Sequence, residues 1–476
     1  MSVVLFLHGL LVVAFTLRIL VRDDLSPPAR LAWFIVLTLL PFIGSAVYFL
    51  FGEVDLGKVS KARSVEIFKD IENHGAPFMG RATGAADLVD AAYQPVFKYA
   101  ASINGFHPVA GNAAELMADA DTTRARIVND IDAATDHVHV LYYIWLDDIT
   151  GTAVADALIR AARRGVTCRA MADGIGSRGL VKSSLWAAMK DAGVQLAVAF
   201  PLDHVVRTIL TSRLDLRNHR KITIIDGAIT YCGSRNSADP AFLVKAKFAP
   251  WVDIMARFKG PVVAQNQLLF ASDWMLATGE ALDQIPLVAQ PATGGFVAQV
   301  IGVGPTRRKG ATPQLFTCAF GCARTTTTLS TPYFVPDATV LEALCAAAYR
   351  GVIVTLIVPK RNDSWIVAAA SRSYYRKLLE AGCIIHEFTT GLLHAKTLTI
   401  DGKVGLLGSS NLDLRSFDLN YENNILFQDT KLVTDIYTRQ KNYISQSDRI
   451  VLDDVLQWRI YRRIWNNVIA TIGPIL

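Results

Sequence analysis

A chain of 476 residues exceeds what one hydrophobic core usually fills, roughly 250–300 residues, so more than one folded unit is expected. Hydrophobic residues make up 51 % and charged residues 19 %, against about 25 % charged in ordinary soluble proteins; this excludes a disordered chain and places part of it in or on a membrane. The net charge of +6 is mild and diffuse, which suits an anionic lipid surface or a phosphate-bearing substrate and argues against a nucleic-acid partner.

From the N-terminus, residues 3–20 are apolar apart from His8, Thr16 and Arg18, and residues 31–51 carry no charge. About 20 apolar residues cross a bilayer core as a helix. The intervening Arg22-Asp23-Asp24-Leu25-Ser26-Pro27-Pro28 reads as a polar turn that cannot continue a helix. The sequence therefore predicts a transmembrane helical hairpin over 1–52, with spans at about 3–20 and 31–51 and both chain ends on one side. A cleaved leader would need a basic start and a small-residue cleavage site. Lys58, Lys61, Arg63 and Lys69 follow the second run, whereas the turn carries Arg22 and Arg30. The positive-inside rule then puts the large C-terminal part in the cytoplasm. Residues 53–110 read as a juxtamembrane linker.

The remainder is repetitive. His137 to Trp145 reads as a buried strand, followed by a helix that ends at Arg164-Gly165 and a strand over 166–172. In the second half Thr325 to Ser330 is β-prone, a helix ends at Arg350-Gly351, and a strand covers 352–358. Gly165 and Gly351 stand where a C-cap glycine belongs. Strands alternating with helices predict an α/β fold with a largely parallel sheet in two lobes, 111–290 and 291–476.

The repeat then sharpens into a motif. His219-x-Lys221-x4-Asp226 is followed by Gly233-Ser234-x-Asn236, and His394-x-Lys396-x4-Asp401 by Gly408-Ser409-x-Asn411, every position offset by 175. Asp226-Gly227 and Asp401-Gly402 are two-residue turn signals between β-prone stretches. Residues i and i+2 of a strand face one side, so each histidine projects with its lysine. Each Asp falls near the turn and off that face, where a local holding role is expected. Ser234, Asn236, Ser409 and Asn411 can donate hydrogen bonds to phosphate oxygens. Two copies brought together supply two imidazoles and two ammonium groups. That set suffices for phosphodiester exchange without a metal or other cofactor: one imidazole attacks phosphorus, and the other gives a proton to the departing alkoxide and takes one from the incoming hydroxyl. The lysines and asparagines balance charge on the non-bridging oxygens. The six cysteines form no CxxC and no Cys/His metal spacing, and read as reduced, buried residues.

The paired motif resembles the signature of the phospholipase D superfamily. Tyr142-Tyr-Ile-Trp-Leu-Asp-Asp148, Thr331-Pro-Tyr-Phe-Val-Pro-Asp337, Ser371-Arg-Ser-Tyr-Tyr375, Asn411-Leu-Asp-Leu-Arg-Ser416 and the N-terminal Pro41-Phe-Ile-Gly44 are similar to bacterial cardiolipin synthases over nearly the whole chain. The resemblance implies one active site between two lobes related by a pseudo-twofold. It implies an acidic residue after each motif that orients the motif histidine; Glu422 matches that place in the second half and Asp253 in the first. It also implies His219 as nucleophile and His394 as general acid/base. The implied reaction joins two phosphatidylglycerol molecules into cardiolipin with release of glycerol, at the bacterial inner membrane. A hydrolase of the same fold, and a non-catalytic scaffold binding anionic lipid, are the rival readings. The intact pair of histidines weighs against the scaffold.

Two further segments mix apolar residues with arginines, as helices lying in a headgroup layer do. One holds Val205, Val206, Ile209, Leu210 and Leu214 with Arg207, Arg213 and Arg217, in a stretch 11 residues longer than its counterpart in the second half. The other is the C-terminal amphipathic segment Trp458-Arg-Ile-Tyr-Arg-Arg-Ile-Trp465 onward. Ordinary packing against the lobe is the alternative for both.

Overall fold

The computed structural model describes residues 2–471 except Asp24, Ser26, 54–57, Ala82, 202–214 and 289–293. The expected insertion ahead of His219 lies largely outside the described residues.

The N-terminal region departs from the expected hairpin of two spanning helices. Helix α1, Ser2–Leu20, forms as anticipated, with a mean hydropathy of 2.4 over Val3–Leu20, and alone among the described helices is long and apolar enough to cross a membrane. The second apolar run is broken into α2, Pro27–Leu39, and α3, Ile43–Phe51. Pro41 has no N–H for the helical ladder and its ring clashes with the preceding turn. Phe42 then takes a left-handed φ of 59°. At about 1.5 Å per residue, α2 reaches roughly 20 Å, short of the ~30 Å hydrocarbon core. The three helices pack on one another through Ile19, Trp33, Leu37 and Tyr48.

The stretch 53–110, read as a linker, instead carries the helices Lys58–His74 and Gln94–Asn104. Ile67 and Ile71 of the first and Val96, Phe97 and Ile103 of the second are buried in the body of the protein. Ile67 and Ile71 lie four apart, and Val96, Ala100 and Ile103 four and three apart, so each helix has one apolar stripe, which is what packing requires.

The body is a 16-stranded sheet whose two halves mirror one another. In the first, His137–Tyr142 lies parallel to Thr167–Asp173, which lies parallel to Gln195–Ala199. On its other side it pairs antiparallel with Lys221–Ile225, which turns back into Ile229–Gly233. In the second, Thr326–Ser330, Ile353–Pro359 and Ile384–Phe388 run parallel, and Thr397–Ile400 turns back into Val404–Gly408. The halves join where Val109–Leu116 pairs antiparallel with Phe296–Val303. Helices cover the buried parallel strands, as apolar runs such as Ile353 to Val358 demand.

Each motif strand ends in a tight turn. Asp226-Gly227 has φ of 50° and 59°, and Asp401-Gly402 has 52° and 67°. Two successive left-handed residues match the twist of an antiparallel pair, and Asp followed by Gly tolerates them best. The carboxylates hold neighbouring backbone: Asp226 accepts from the N–H groups of Thr135, Asp136 and His137, and Asp401 from those of Arg324, Thr325 and Thr326. Each thereby clamps the start of the adjacent central strand to the hairpin.

Candidate active site

Each motif histidine follows a two-residue strand that leaves its own lobe. Arg217–Asn218 pairs in parallel with Asn420–Tyr421, and Leu392–Leu393 with Trp251–Val252. The His219 N–H donates to the Tyr421 carbonyl at 2.9 Å, and the His394 N–H to that of Val252 at 2.8 Å. The next residue on each opposing strand carries an acid, so His219 comes to Glu422 and His394 to Asp253. His219 Nδ1 lies 2.8 Å from Glu422 Oε2, and His394 Nδ1 lies 2.6 Å from Asp253 Oδ1. Each imidazole is thus held by the carboxylate of the opposite lobe, where the sequence reading had each acid serving its own motif. The exchange follows from the two cross-lobe strands. With Nδ1–H engaged by a carboxylate, Nε2 carries the lone pair.

The lysines are buried beside the histidines. Lys221 Nζ donates to the His219 carbonyl at 2.5 Å and lies 5.5 Å from the Tyr143 ring centroid; Lys396 Nζ donates to the His394 carbonyl at 2.7 Å. Ser234 and Ser409, expected to bind phosphate, do something else. Ser234 Oγ donates to Asp253 Oδ1 at 2.6 Å, and Ser409 Oγ donates to Glu422 Oε2. A hydroxyl has one proton to give, and here it goes to the carboxylate. Asn236 accepts the Ile144 N–H through Oδ1, which leaves its NH₂ group for other acceptors. Asn411 donates through Nδ2 to Ser416 Oγ at 3.1 Å. Asp226 and Asp401 stand at the hairpin turns, roughly 20 Å along the strand from their histidines at about 3.3 Å per residue, so neither touches the reacting centre. Although each completes its His-Lys-Asp motif, neither is a catalytic group; their contribution is to strand position, the local holding role their turns imply.

Several contributors carried no role in the sequence reading. Ser416 Oγ and Asn420 Nδ2 also donate to Glu422 Oε1, at 3.0 and 3.2 Å. Tyr143 sets its ring edge-on to His219 at 4.8 Å, and Trp251 lies 4.7 Å from His394 with Phe242 stacked on its far side at 4.0 Å. Ser416 and Tyr143 sit in stretches that were singled out, but only contact geometry tells which residue of a stretch reaches the imidazole.

Burial dominates the electrostatics. It holds both imidazoles below the usual histidine range. His219 is pushed well down by burial and then by the charges of Lys221, Lys396 and His394; His394 falls to about 4 through burial and Lys396, with Asp253 opposing. Lys221 drops to about 7 and Lys396 to about 8, again chiefly by burial, against the pull of Glu422 and Asp253. Burial lifts Glu422 to about 7; burial also raises Asp253, but the charge and hydrogen bond of His394 with the charges of Arg235 and Lys396 together outweigh it and keep that carboxyl below its usual range. The histidine of each lobe thus feels the lysine of the other, as members of one cluster must.

Two mirrored α/β lobes, each giving a buried His-Lys pair and taking its histidine's carboxylate from the other, define a two-motif enzyme of the phospholipase D class. The family described as "Cardiolipin synthase, PLD-like domain" matches residues 127–273 and 317–443, and "Phospholipase_D-nuclease N-terminal" matches residues 10–53. Cardiolipin synthase A of Edwardsiella ictaluri is 34 % identical over 472 residues, covering 98 % of this chain and 95 % of that protein. The Yersinia pseudotuberculosis enzyme is 35 % identical over 468 residues, covering 97 % and 95 %. Phosphatidylserine synthase of Haemophilus influenzae shares the fold, with a TM-score of 0.59 at 14 % identity, covering 82 % of this chain and 100 % of that one. The chain belongs to the cardiolipin synthase family and is a phosphatidyltransferase.

Proposed function

We propose that this enzyme transfers a phosphatidyl group between two phosphatidylglycerol molecules, giving cardiolipin and glycerol through a phosphatidyl-histidine intermediate. His219 Nε2 attacks phosphorus as the bond to the headgroup glycerol breaks. His394, which the anionic phosphodiester and Asp253 together favour in its protonated form once substrate is bound, gives its proton to the departing alkoxide. Neutral His394 then takes the proton from the headgroup hydroxyl of a second phosphatidylglycerol, whose oxygen attacks phosphorus and expels His219. Lys221, Lys396, Asn236 and Asn411 balance charge on the non-bridging oxygens.

The observation that carries this reading is the reciprocal His–carboxylate pairing, 2.8 Å on one side and 2.6 Å on the other, which occupies each Nδ1 and leaves each Nε2 for chemistry in a cluster where each histidine feels the lysine of the other lobe. Its asymmetry supports the order of roles. Both imidazoles are held below the usual range, but Asp253 is anionic and pulls His394 back up against burial, which aids a group that must take and give a proton, whereas Glu422, itself lifted to about 7, leaves His219 a neutral nucleophile. Helix α1 would anchor the protein in the bacterial inner membrane, with the basic residues after it keeping the body on the cytoplasmic side.

The test supplies labelled phosphatidylglycerol to the full chain in vesicles. Cardiolipin and glycerol in equal amounts are expected; phosphatidic acid as the main product would overturn transfer in favour of hydrolysis.

The lysines also set a pH dependence. Their values of about 7 and 8 lie below the ordinary ammonium range, so both are charged at lower pH and lose the proton as pH rises through that window. An anionic phosphodiester favours the charged forms. The kcat/KM for phosphatidylglycerol should therefore decline between about pH 7 and 9, with kcat less affected than KM, because bound substrate raises both values. A kcat/KM flat to pH 9 in a steady-state profile would remove the lysines from substrate binding.

A further inference from the structure

The helix Trp365–Ser373 packs against the C-terminal helix Ile460–Thr471, whose inner face contributes Ile469 to a cluster with Val335, Ala369 and Ala370. The outer face of a helix on a water-facing surface should be polar. Here Tyr461, Ile464, Trp465 and Val468, spaced three and four apart, are all exposed. Trp465 stacks on Trp365 at 5.8 Å, and the pair is 50 % and 62 % exposed.

This patch continues into the first lobe. Asp363, two residues before Trp365, binds Lys245 Nζ at 2.5 Å, and Arg361 donates to the Lys247 carbonyl at 2.9 Å. Lys245 stands in the loop Leu243–Phe248, whose tip residues Leu243 and Val244 are 79 % and 68 % exposed. Phe242, just before that tip, stacks on the Trp251 that touches His394. Exposed apolar groups therefore stand on both lobes, joined by the Lys245–Asp363 and Arg361–Lys247 contacts, and the one on the first lobe ends two ring contacts from a motif imidazole.

Charge identifies what covers these groups. Lys247, Arg361, Arg459, Arg462 and Arg463 are exposed around them, and the helix Ile460–Thr471 has no acidic residue. Among the described residues, no carboxylate lies within ion-pair distance of Lys247, Arg361, Arg459 or Arg463. Aromatic and aliphatic side chains interleaved with unneutralised cations match the boundary between acyl chains and anionic headgroups. A protein partner of comparable area would call for fewer charges at the patch centre.

We propose that the Leu243–Val244 tip, the Trp365–Trp465 pair and the outer face of the C-terminal helix form a second membrane-docking face, distinct from α1, that seats the His394 side of the site on an anionic bilayer. The proposal rests on the reading that the substrate is a bilayer lipid.

The test attaches an environment-sensitive fluorophore to full-length Leu243→Cys and Trp465→Cys chains, with Tyr349→Cys as an exposed site outside the patch. The chains are reconstituted through α1 into vesicles of phosphatidylcholine alone or mixed with phosphatidylglycerol. Both patch probes should shift to the blue and be protected from iodide, more strongly with phosphatidylglycerol, while the probe at 349 stays in water. Patch probes that remain as iodide-accessible as the one at 349 in both lipids would overturn the docking face. A Leu243→Asp/Trp465→Asp chain should lower the ratio of turnover on vesicles to turnover on monomeric short-chain phosphatidylglycerol at least tenfold; an unchanged ratio would also overturn it. Inserted probes with phosphatidic acid as product would preserve the docking face and remove the transferase reading. Cardiolipin formation with probes left in water would do the reverse.

Discussion

Replacing the two motif histidines should give different failures, although both variants are expected to lose on the order of 10³-fold or more in turnover with phosphatidylglycerol. His219→Ala removes the atom that bonds to phosphorus, so no phosphatidyl adduct should form with any substrate. His394→Ala removes the proton donor, and glycerol is a poor leaving group without one. A phosphatidyl ester of nitrophenol needs no such help. With that substrate the His394→Ala chain should release nitrophenol in a burst and hold the phosphatidyl group on His219, because deprotonation of the acceptor is also lost. Acid-labile lipid label on the protein, seen by mass spectrometry, measures this. Label on His394 in the His219→Ala chain would reverse the two roles. The distinction rests on the unequal partners of the imidazoles, an ionised Asp253 and a Glu422 near neutrality.

The carboxylates offer the second large effect, and it crosses between lobes. Glu422 is fully buried and receives Ser409, Ser416 and Asn420 in addition to His219. Glu422→Gln keeps the shape but can present an NH₂ group to Nδ1, which favours the tautomer with its lone pair in the wrong place. A comparable loss of tautomer control in a serine-protease triad costs about 10⁴-fold in kcat. Roughly 10²–10⁴-fold is expected here, with KM changed far less. Because Glu422 serves His219, its replacement should slow adduct formation. Asp253→Asn should instead slow the step that depends on leaving-group protonation, and an activated substrate should rescue it. If each replacement impaired the chemistry of its own lobe's histidine, the reciprocal pairing would be wrong. Thermal unfolding of both variants close to the parent would show that the loss is chemical.

The fold class and the side chains that gather at the candidate site were legible in the sequence for one reason. A duplication leaves two copies to compare, and residues kept at one fixed offset of 175 stand out from those kept only for packing. His219, Lys221, His394 and Lys396 emerged this way, as did the turn role of Asp226 and Asp401, since an Asp-Gly pair between β-prone stretches specifies local backbone. The N-terminal helical hairpin was misread because a hydropathy run registers the absence of charge and not the continuity of a helix. Pro41, visible in the sequence, outweighed 21 uncharged residues. The linker reading of 53–110 failed because single apolar residues such as Ile67 and Val96 reveal their purpose only against the surface that buries them.

What the sequence determined by itself is the chemistry on offer: two imidazoles, two ammonium groups and two carboxylates placed after them, on strands whose period and turns are local properties. Tertiary structure alone decided the partners. The short strands Arg217–Asn218 and Leu392–Leu393 pair outside their own lobes, so Glu422 reaches His219 and Asp253 reaches His394. It also decided that Ser234 and Ser409 spend their protons on those carboxylates. Sequence spacing fixes which side of its own strand a residue faces; which opposing strand lies there depends on how the two halves pack together, and that is a long-range outcome no local pattern encodes.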